Sequence, residues 1–198
     1  MKNLALFDFD GNISNKDTFW DFLKYTISPV NYAFGHAALS YTYLRFHAGI
    51  LSNGQAKQRI MNHHFKGWKL EEFNDAAEHY ALNRIDDLVI GKAMDAIKSH
   101  QDNGDHIVVV SGSFENWLSP WCEQHGIHTI GSRLEVRNNR LTGKLDGHDC
   151  IGPEKVSRIK SYLNPEQYEK IYAYGDSEGD REMLNMADVK YFNWNIIE

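Results

Sequence analysis

At 198 residues, 42% hydrophobic and 13% aromatic, the chain can fill one core domain plus a modest insertion, which excludes a disordered polypeptide. A net charge of −6 with no basic face or run standing out argues against a nucleic-acid partner, though a small phosphate ester needs positive charge only at its own site. Cys122 and Cys150 form no CxxC pair and no cluster with histidine, so they read as reduced thiols of a cytoplasmic protein.

In chain order, MKNLALFDFDG has a single lysine and an apolar run too short for a signal-peptide core; Leu4 to Phe7 reads as a first buried strand. From Ser14 to Val89 the pattern is helical, with Phe19, Phe22, Leu23 and Thr26, then Phe73, Ala76, Ala77 and Tyr80, at three- and four-residue intervals. Within it, residues 25–44 carry no Asp, Glu, Lys or Arg, but Ser28, Pro29, Asn31, His36 and Ser40 make the stretch too polar to span a bilayer. His63 and His64 lack a paired metal spacing and read as surface.

Strand–helix alternation then begins. A helix ends near Asn103–Gly104, and His106 to Val110 is a β-branched buried strand running into Ser111-Gly112-Ser113. Trp117, Leu118, Trp121 and Cys122 share a helix face; Ile127 to Ile130 is the next strand, and Leu134 to Leu141 is a hairpin turning at Asn138-Asn139. Pro153 opens a helix carrying Lys155, Ile171 to Tyr174 is a strand leading into Gly175-Asp176, a helix surrounds Met183 and Leu184, and Val189 to Phe192 is the last strand. This order predicts a parallel α/β sheet with a helical insertion after the first strand.

Four polar pieces fall at predicted strand or helix ends: Asp8-Phe9-Asp10, Ser111-Gly112, Lys155, and Asp176 with Asp180. Singly each is weak, since a D-x-D pair is close to a chance pattern. Together they sit where open parallel sheets bind ligands, outside the carboxyl ends of the strands. Asp8 and Asp176 can hold a hard cation such as Mg²⁺, which removes the repulsion between a carboxylate nucleophile and an anionic ester. Asp8 then serves as nucleophile and Asp10, two residues on, as acid and base. Lys155, Ser111 and the backbone N–H of Gly112 at a helix start suit phosphoryl oxygens.

DFDG at 8–11, VVVSGSF at 108–114, the lysine of GPEKVSRIK and YGDSEGD at 174–180 resemble the haloacid dehalogenase-like hydrolases, in the order and spacing of their phosphoserine-phosphatase-like branch. The resemblance covers nearly the whole chain. It implies a Rossmann-like core (residues 1–13 and 90–198) with a helical-bundle cap (14–89) that moves as a lid. It also implies Asp8 as nucleophile, Asp10 as acid/base, Ser111, Gly112 and Lys155 on phosphate, and Mg²⁺ held by Asp8, the Asp10 carbonyl and Asp176, with Asp180 in support. Two positions depart from the pattern: Asn12 replaces the usual threonine, and Gly179 stands where asparagine is common.

The expected activity is hydrolysis of a small phosphate ester, phosphoserine or another amino-bearing phosphate. Asp17 lies where the resembled phosphoserine phosphatases place an acid towards the substrate amine, and it equally suits a helix N-cap. Arg45, Arg59 and Arg84 are the candidate partners for a substrate carboxylate. Trp20, Tyr32, Phe34, Tyr41, Tyr43 and Trp68 leave room for a choline-, ethanolamine- or lipid-like leaving group. A phosphotransferase or mutase, and a non-catalytic phosphate-binding protein, are the rival readings.

Overall fold

A computed structural model describes residues 2–198. Leu4–Phe7 forms β1, buried on both faces, because the sheet around it is covered on both sides. Five helices follow: α1 (Thr18–Thr26), α2 (Pro29–Ala38), α3 (Ser40–His47), α4 (Asn53–Phe65) and α5 (Leu70–Arg84). Then come α6 (Gly91–Asp102), β2 (His106–Phe114), α7 (Glu115–Gln124), β3 (His128–Ser132), β4 (Leu134–Arg137) and β5 (Arg140–Leu145). The chain closes with α8 (Pro153–Tyr162), β6 (Ile171–Gly175), α9 (Arg181–Asn185), β7 (Val189–Phe192) and β8 (Asn195–Ile197).

The main sheet has the order β3-β2-β1-β6-β7-β8, parallel throughout except for the antiparallel edge pair β7–β8. The α/β sheet with a helical insertion after β1 is therefore as the alternation predicts. Register stacks Phe7, Tyr174 and Tyr191 on three adjacent strands, with ring centroids 4.2 and 4.4 Å apart.

Two strands differ from the sequence reading. β2 does not stop at Val110 but continues through Ser111 and Gly112 to Phe114, because Phe114 still pairs with Ser132 of β3 across an irregular register. Gly112 thus lies in a strand and not at a helix start. β8 follows the strand taken as last, closed by a turn in which Asn193 and Trp194 both adopt positive φ. A tryptophan in that conformation is an unusual turn residue, which hid the hairpin.

The insertion leaves and rejoins the sheet at one place. Asn15 N–H donates to the Leu88 carbonyl (2.8 Å) and Ile90 N–H to that of Ile13 (2.9 Å), with Ser14 and Val89 bridged between them. Its helices gather around Phe22, whose ring lies 4.5–5.9 Å from those of Trp117, Tyr80, Phe73 and Phe65. Trp117 belongs to α7, so the apolar core runs unbroken from the insertion into the sheet layer.

The β4–β5 hairpin turns at Asn138 and Asn139, both left-handed, as a two-residue turn requires. It packs on α4 so closely that a Cβ at Gly143 (φ +80°) would sit 2.5 Å from Asn62 Cα. Residues 25–44 are divided among the end of α1, α2 and α3, and among the described residues no helix is long and apolar enough to cross a membrane. Both cysteines are buried and unpaired, and burial pushes their thiols up, to about 12 for Cys122 and about 11 for Cys150.

Candidate active site

The carboxyl ends of β1, β2 and β6 meet in a cleft of about 360 Å³ that is lined by Asp8, Asp10, Ser111, Gly112, Lys155, Asp176 and Asp180. Asp17 lines it from the insertion side. A wider groove of about 770 Å³ between α5 and α7 shares none of these residues.

Asp8 directly follows β1, its N–H donating to the Tyr174 carbonyl at 2.9 Å. Its Oδ1 accepts from Lys155 Nζ at 2.6 Å, and the same ammonium donates to Asp180 Oδ1 at 2.5 Å. Lys155 reaches this point from the first turn of α8, where Gly152 (φ +56°) and Pro153 set the start of the helix. All three groups are buried. Burial raises the Asp8 carboxyl well above its ordinary value; Lys155 offsets this in part, while the charges of Asp180 and Asp10 add to it. For Lys155 burial acts downward, but Asp8 and Asp180 overcome it and the ammonium is held above its usual range.

Asp180 is a fixed anion. Its Oδ2 accepts from the N–H groups of Asp176 (3.2 Å) and Ser177 (3.0 Å) and from the Ser177 hydroxyl (2.8 Å). Burial works against the charged form, yet Lys155 and the Ser177 donors win, and the carboxyl titrates below its ordinary 3.8.

Asp176 follows β6 in a different setting: its Oδ1 is buried with no donor among the described residues, and burial and the Asp180 charge raise its pKa. Asp8, Asp176 and Asp180 offer carboxylate oxygens within 4.8 Å of one another. An all-oxygen set with an orphaned oxygen and excess negative charge fits a hard divalent cation. Asp8, with only its Oδ1 engaged by Lys155, and Asp176 each have an oxygen to offer it, whereas both oxygens of Asp180 are taken. The glycine of DFDG is needed here, since a Cβ at Gly11 (φ +79°) would lie 2.3 Å from Asp176 Oδ2.

Asp10 is held by both oxygens: Oδ1 accepts from Thr18 N–H at 2.7 Å and Oδ2 from the Ser113 hydroxyl at 2.5 Å. Thr18 Oγ1 donates to Ser113 Oγ (3.0 Å) and accepts from Trp117 Nε1 (3.2 Å). The start of α1 and the end of β2 therefore aim this carboxylate together. Ser111 is buried and its Oγ accepts from Ser113 N–H at 3.1 Å.

Asp17 does cap α1, its Oδ1 accepting from Phe19 N–H (2.9 Å) and Trp20 N–H (3.3 Å). It also lines the cleft with its side chain still open to solvent, and there partial desolvation and the charge of Asp10 push its carboxyl up to about 6. The cap reading of Asp17 therefore holds, and the same side chain borders the cleft.

The three arginines do not gather here. Arg84 pairs with Asp21 (3.0 Å) and Asp87 (3.1 Å), Arg45 lies 5.6 Å from the Tyr41 ring, and exposed Arg59 borders a separate hollow beside Gly143. None of the six insertion rings lines the cleft either. Besides Lys155, the cations that do are exposed Lys16 and, from α4, Lys57, both unforeseen in the sequence reading; Lys57 donates to the Gly112 carbonyl (2.7 Å) and to Asp149 (3.0 Å). Its signal was positional: Lys57 occupies the inward face otherwise formed by Ala56, Ile60 and Met61.

Asn12 is fully buried, and neither its Oδ1 nor its Nδ2 has a partner among the described residues. Leaving a buried polar group unpaired costs about 1–3 kcal/mol. Asn12→Thr, which exchanges two such groups for one rotatable hydroxyl, is expected to stabilise the fold by about 1–3 kcal/mol in urea denaturation. An unchanged or lower stability would show that the amide is paired in solution.

The family model described as haloacid dehalogenase-like hydrolase matches residues 5–185. Protein CicA of Caulobacter vibrioides is 30% identical over 94% of this chain and 84% of its own length. A histidinol-phosphatase of Neisseria meningitidis serogroup C is 27% identical over 94% of this chain and 88% of its own. Among solved structures, a Bordetella pertussis Tohama I protein of unknown function superposes with a TM-score of 0.84 at 23% identity, covering 98% of this chain and 92% of that one. A phospho-aspartyl intermediate analogue of phosphoserine phosphatase gives a TM-score of 0.63 at 25% identity over 96% of this chain and 86% of that one.

Proposed function

The chain belongs to the haloacid dehalogenase-like hydrolases and is a phosphatase of that family, and from this premise we propose that Asp8 is its nucleophile and a small amine-bearing phosphate ester its substrate. The observation that carries the assignment is the contrast between two neighbouring carboxylates. Asp8 is buried against Lys155, while Asp10 is aimed into the same cleft by Thr18 and Ser113. Two carboxylates in different environments are the usual basis for dividing nucleophile from acid–base.

In this mechanism an Asp8 oxygen attacks phosphorus and the bond to the leaving oxygen breaks as Asp10 delivers its proton. Water then attacks the aspartyl-phosphate, Asp10 takes its proton, and inorganic phosphate leaves. Ser111, the Gly112 N–H and Lys155 bind the phosphoryl oxygens, the ammonium staying beside the carboxylate it already pairs with. Asp8, Asp176 and the Asp10 carbonyl, with Asp180 steadying the loop, would hold Mg²⁺, which would supply the positive charge that lets a carboxylate approach an anionic ester.

Residues 14–89 act as the cap and close over the cleft. The paired strands of chain at 13–15 and 88–90 form a compact hinge region, and water exclusion is the expected benefit.

Asp17 supports an amine on the leaving group. No arginine lines the cleft and Lys57 is already paired with Asp149, which leaves exposed Lys16 as the cation for a substrate carboxylate, so an amino-alcohol phosphate and phosphoserine both fit. Phosphate release from a panel of amino-acid, amino-alcohol, amine-free and lipid phosphates in the presence of Mg²⁺ tests the class. Adding an alcohol acceptor detects phosphotransfer.

Asp17→Asn is expected to raise KM for the amine-bearing esters roughly tenfold, the effect of a charged hydrogen bond, and to leave glycerol phosphate unaffected. Asp17 ionises as pH rises through about 6, so the wild-type preference for amines should grow across that range and be flat in the variant. Equal losses on both ester types would remove the amine reading and leave the phosphatase reading standing.

A further inference from the structure

We propose that the outer face of α2 and α3 is a docking surface for an anionic lipid bilayer, on which the protein lies without crossing it. The two helices are nearly one: Leu39 N–H donates to the Gly35 carbonyl (2.8 Å) and Tyr43 N–H to that of Leu39 (3.0 Å). At about 100° per residue, Val30, Phe34, Tyr41 and Leu44 fall within roughly 80° of arc. That side faces outward, the four residues being 63%, 71%, 64% and 66% exposed. Gly35, Leu39 and Thr42, on the opposite side, are buried. The amphipathic order is thus inverted, with large apolar groups turned to solvent along a continuous stripe.

Charge identifies the occupant. Residues 22–70 contain no Asp or Glu, yet hold six of the 21 basic residues; Lys57 is buried against Asp149 and Lys69 pairs with Glu72, which leaves Lys24, Arg45, Arg59 and Lys66. The remaining 15 basic residues stand against all 27 acidic ones, so the overall charge of −6 conceals a lobe of opposite sign. Lys24, Arg59 and Lys66 are exposed, and the Arg45 guanidinium sits 5.6 Å from the Tyr41 ring at the edge of the stripe.

An apolar stripe with aromatic members, an arginine at its edge and further exposed basic residues on an acid-free stretch of chain suits a helix seated in an anionic headgroup layer. A second copy joined by two-fold symmetry would set this lobe against its own like charge. A nucleic acid would leave the aliphatic groups unburied. The inference does not depend on which ester the cleft hydrolyses.

Co-sedimentation of the full chain with vesicles tests it. Binding to phosphatidylcholine vesicles containing phosphatidylglycerol is expected to be at least roughly tenfold tighter than to phosphatidylcholine alone, and to weaken as salt rises. The double variant Phe34→Glu, Leu44→Glu should lose vesicle binding while hydrolysing a soluble ester at the wild-type rate, which also reports an intact fold. Lys24→Glu with Lys66→Glu should weaken only the anionic preference. The proposal fails if wild type ignores anionic vesicles or the double variant binds them equally. It fails too if the stripe instead holds a dimer that the double variant dissolves. The hydrolysis rate is read separately, so these outcomes leave the phosphatase assignment untouched.

Discussion

Asp8→Asn is expected to lower phosphate release by roughly 10⁴-fold or more, the scale seen when a nucleophile is removed from an otherwise intact site. Asparagine keeps the side-chain shape, and Lys155 keeps Asp180 as its ionic partner, so the cleft should persist. In chelator, the same variant is expected to unfold at a higher temperature than wild type near neutral pH. The sign follows from the raised pKa of Asp8: its charged form is disfavoured by burial, so the cost is absent below the ordinary value of 3.8 and develops as pH rises through the folded value. Relief of that cost should therefore disappear in acid.

An inactive yet more heat-resistant protein separates a lost nucleophile from a damaged fold. Retention of activity within about tenfold would move the nucleophile elsewhere. If wild type and variant both released nothing from the ester panel, the chain would be a phosphate-binding protein that has lost its chemistry.

Much of this site was legible because its residues are tied to short runs at strand ends. Leu4–Phe7 and Ile171–Gly175 are β-compatible apolar runs, and each delivers an aspartate directly onto the sheet's carboxyl edge. Lys155 was readable from the proline that starts its helix. What was not legible depends on separations the chain does not display. Ser113 and Thr18 hold Asp10 across 103 and 8 residues, respectively, and Lys57 meets Asp149 across 92.

The extension of β2 to Phe114 depends on β3 offering Ser132 as a partner, a tertiary fact that overrides the turn-like Ser-Gly-Ser. Arg84 looked as available as any other arginine until Asp21 and Asp87 were found beside it. The basic lobe was hidden differently: a whole-chain charge averages over the acid-free stretch, and only exposure shows its apolar residues pointing outward.

Replacing Lys155 with methionine should be the most destabilising change in the cleft. Its ammonium is shared by Asp8 at 2.6 Å and Asp180 at 2.5 Å, and its side chain is 2% exposed. Removing one partner of a buried ion pair leaves uncompensated charge and costs about 3–5 kcal/mol. In a chain of this size that corresponds to a fall in Tm of roughly 6–20 °C. The loss must depend on pH. In wild type the lowered pKa of Asp180 contributes stability that is complete above its ordinary 3.8 and is lost as pH falls through the folded value. In Lys155→Met both carboxylates are pushed towards protonation, so they shed their charge as pH drops while wild type loses its pairing. The two stability curves should therefore converge in acid and be farthest apart near neutrality. Urea denaturation of both proteins in chelator, at neutral and at acidic pH, reads this directly. A constant gap would mean that Lys155 stabilises the fold through its packed methylenes, and that the ammonium bridging Asp8 and Asp180 is not what holds Asp8 in place.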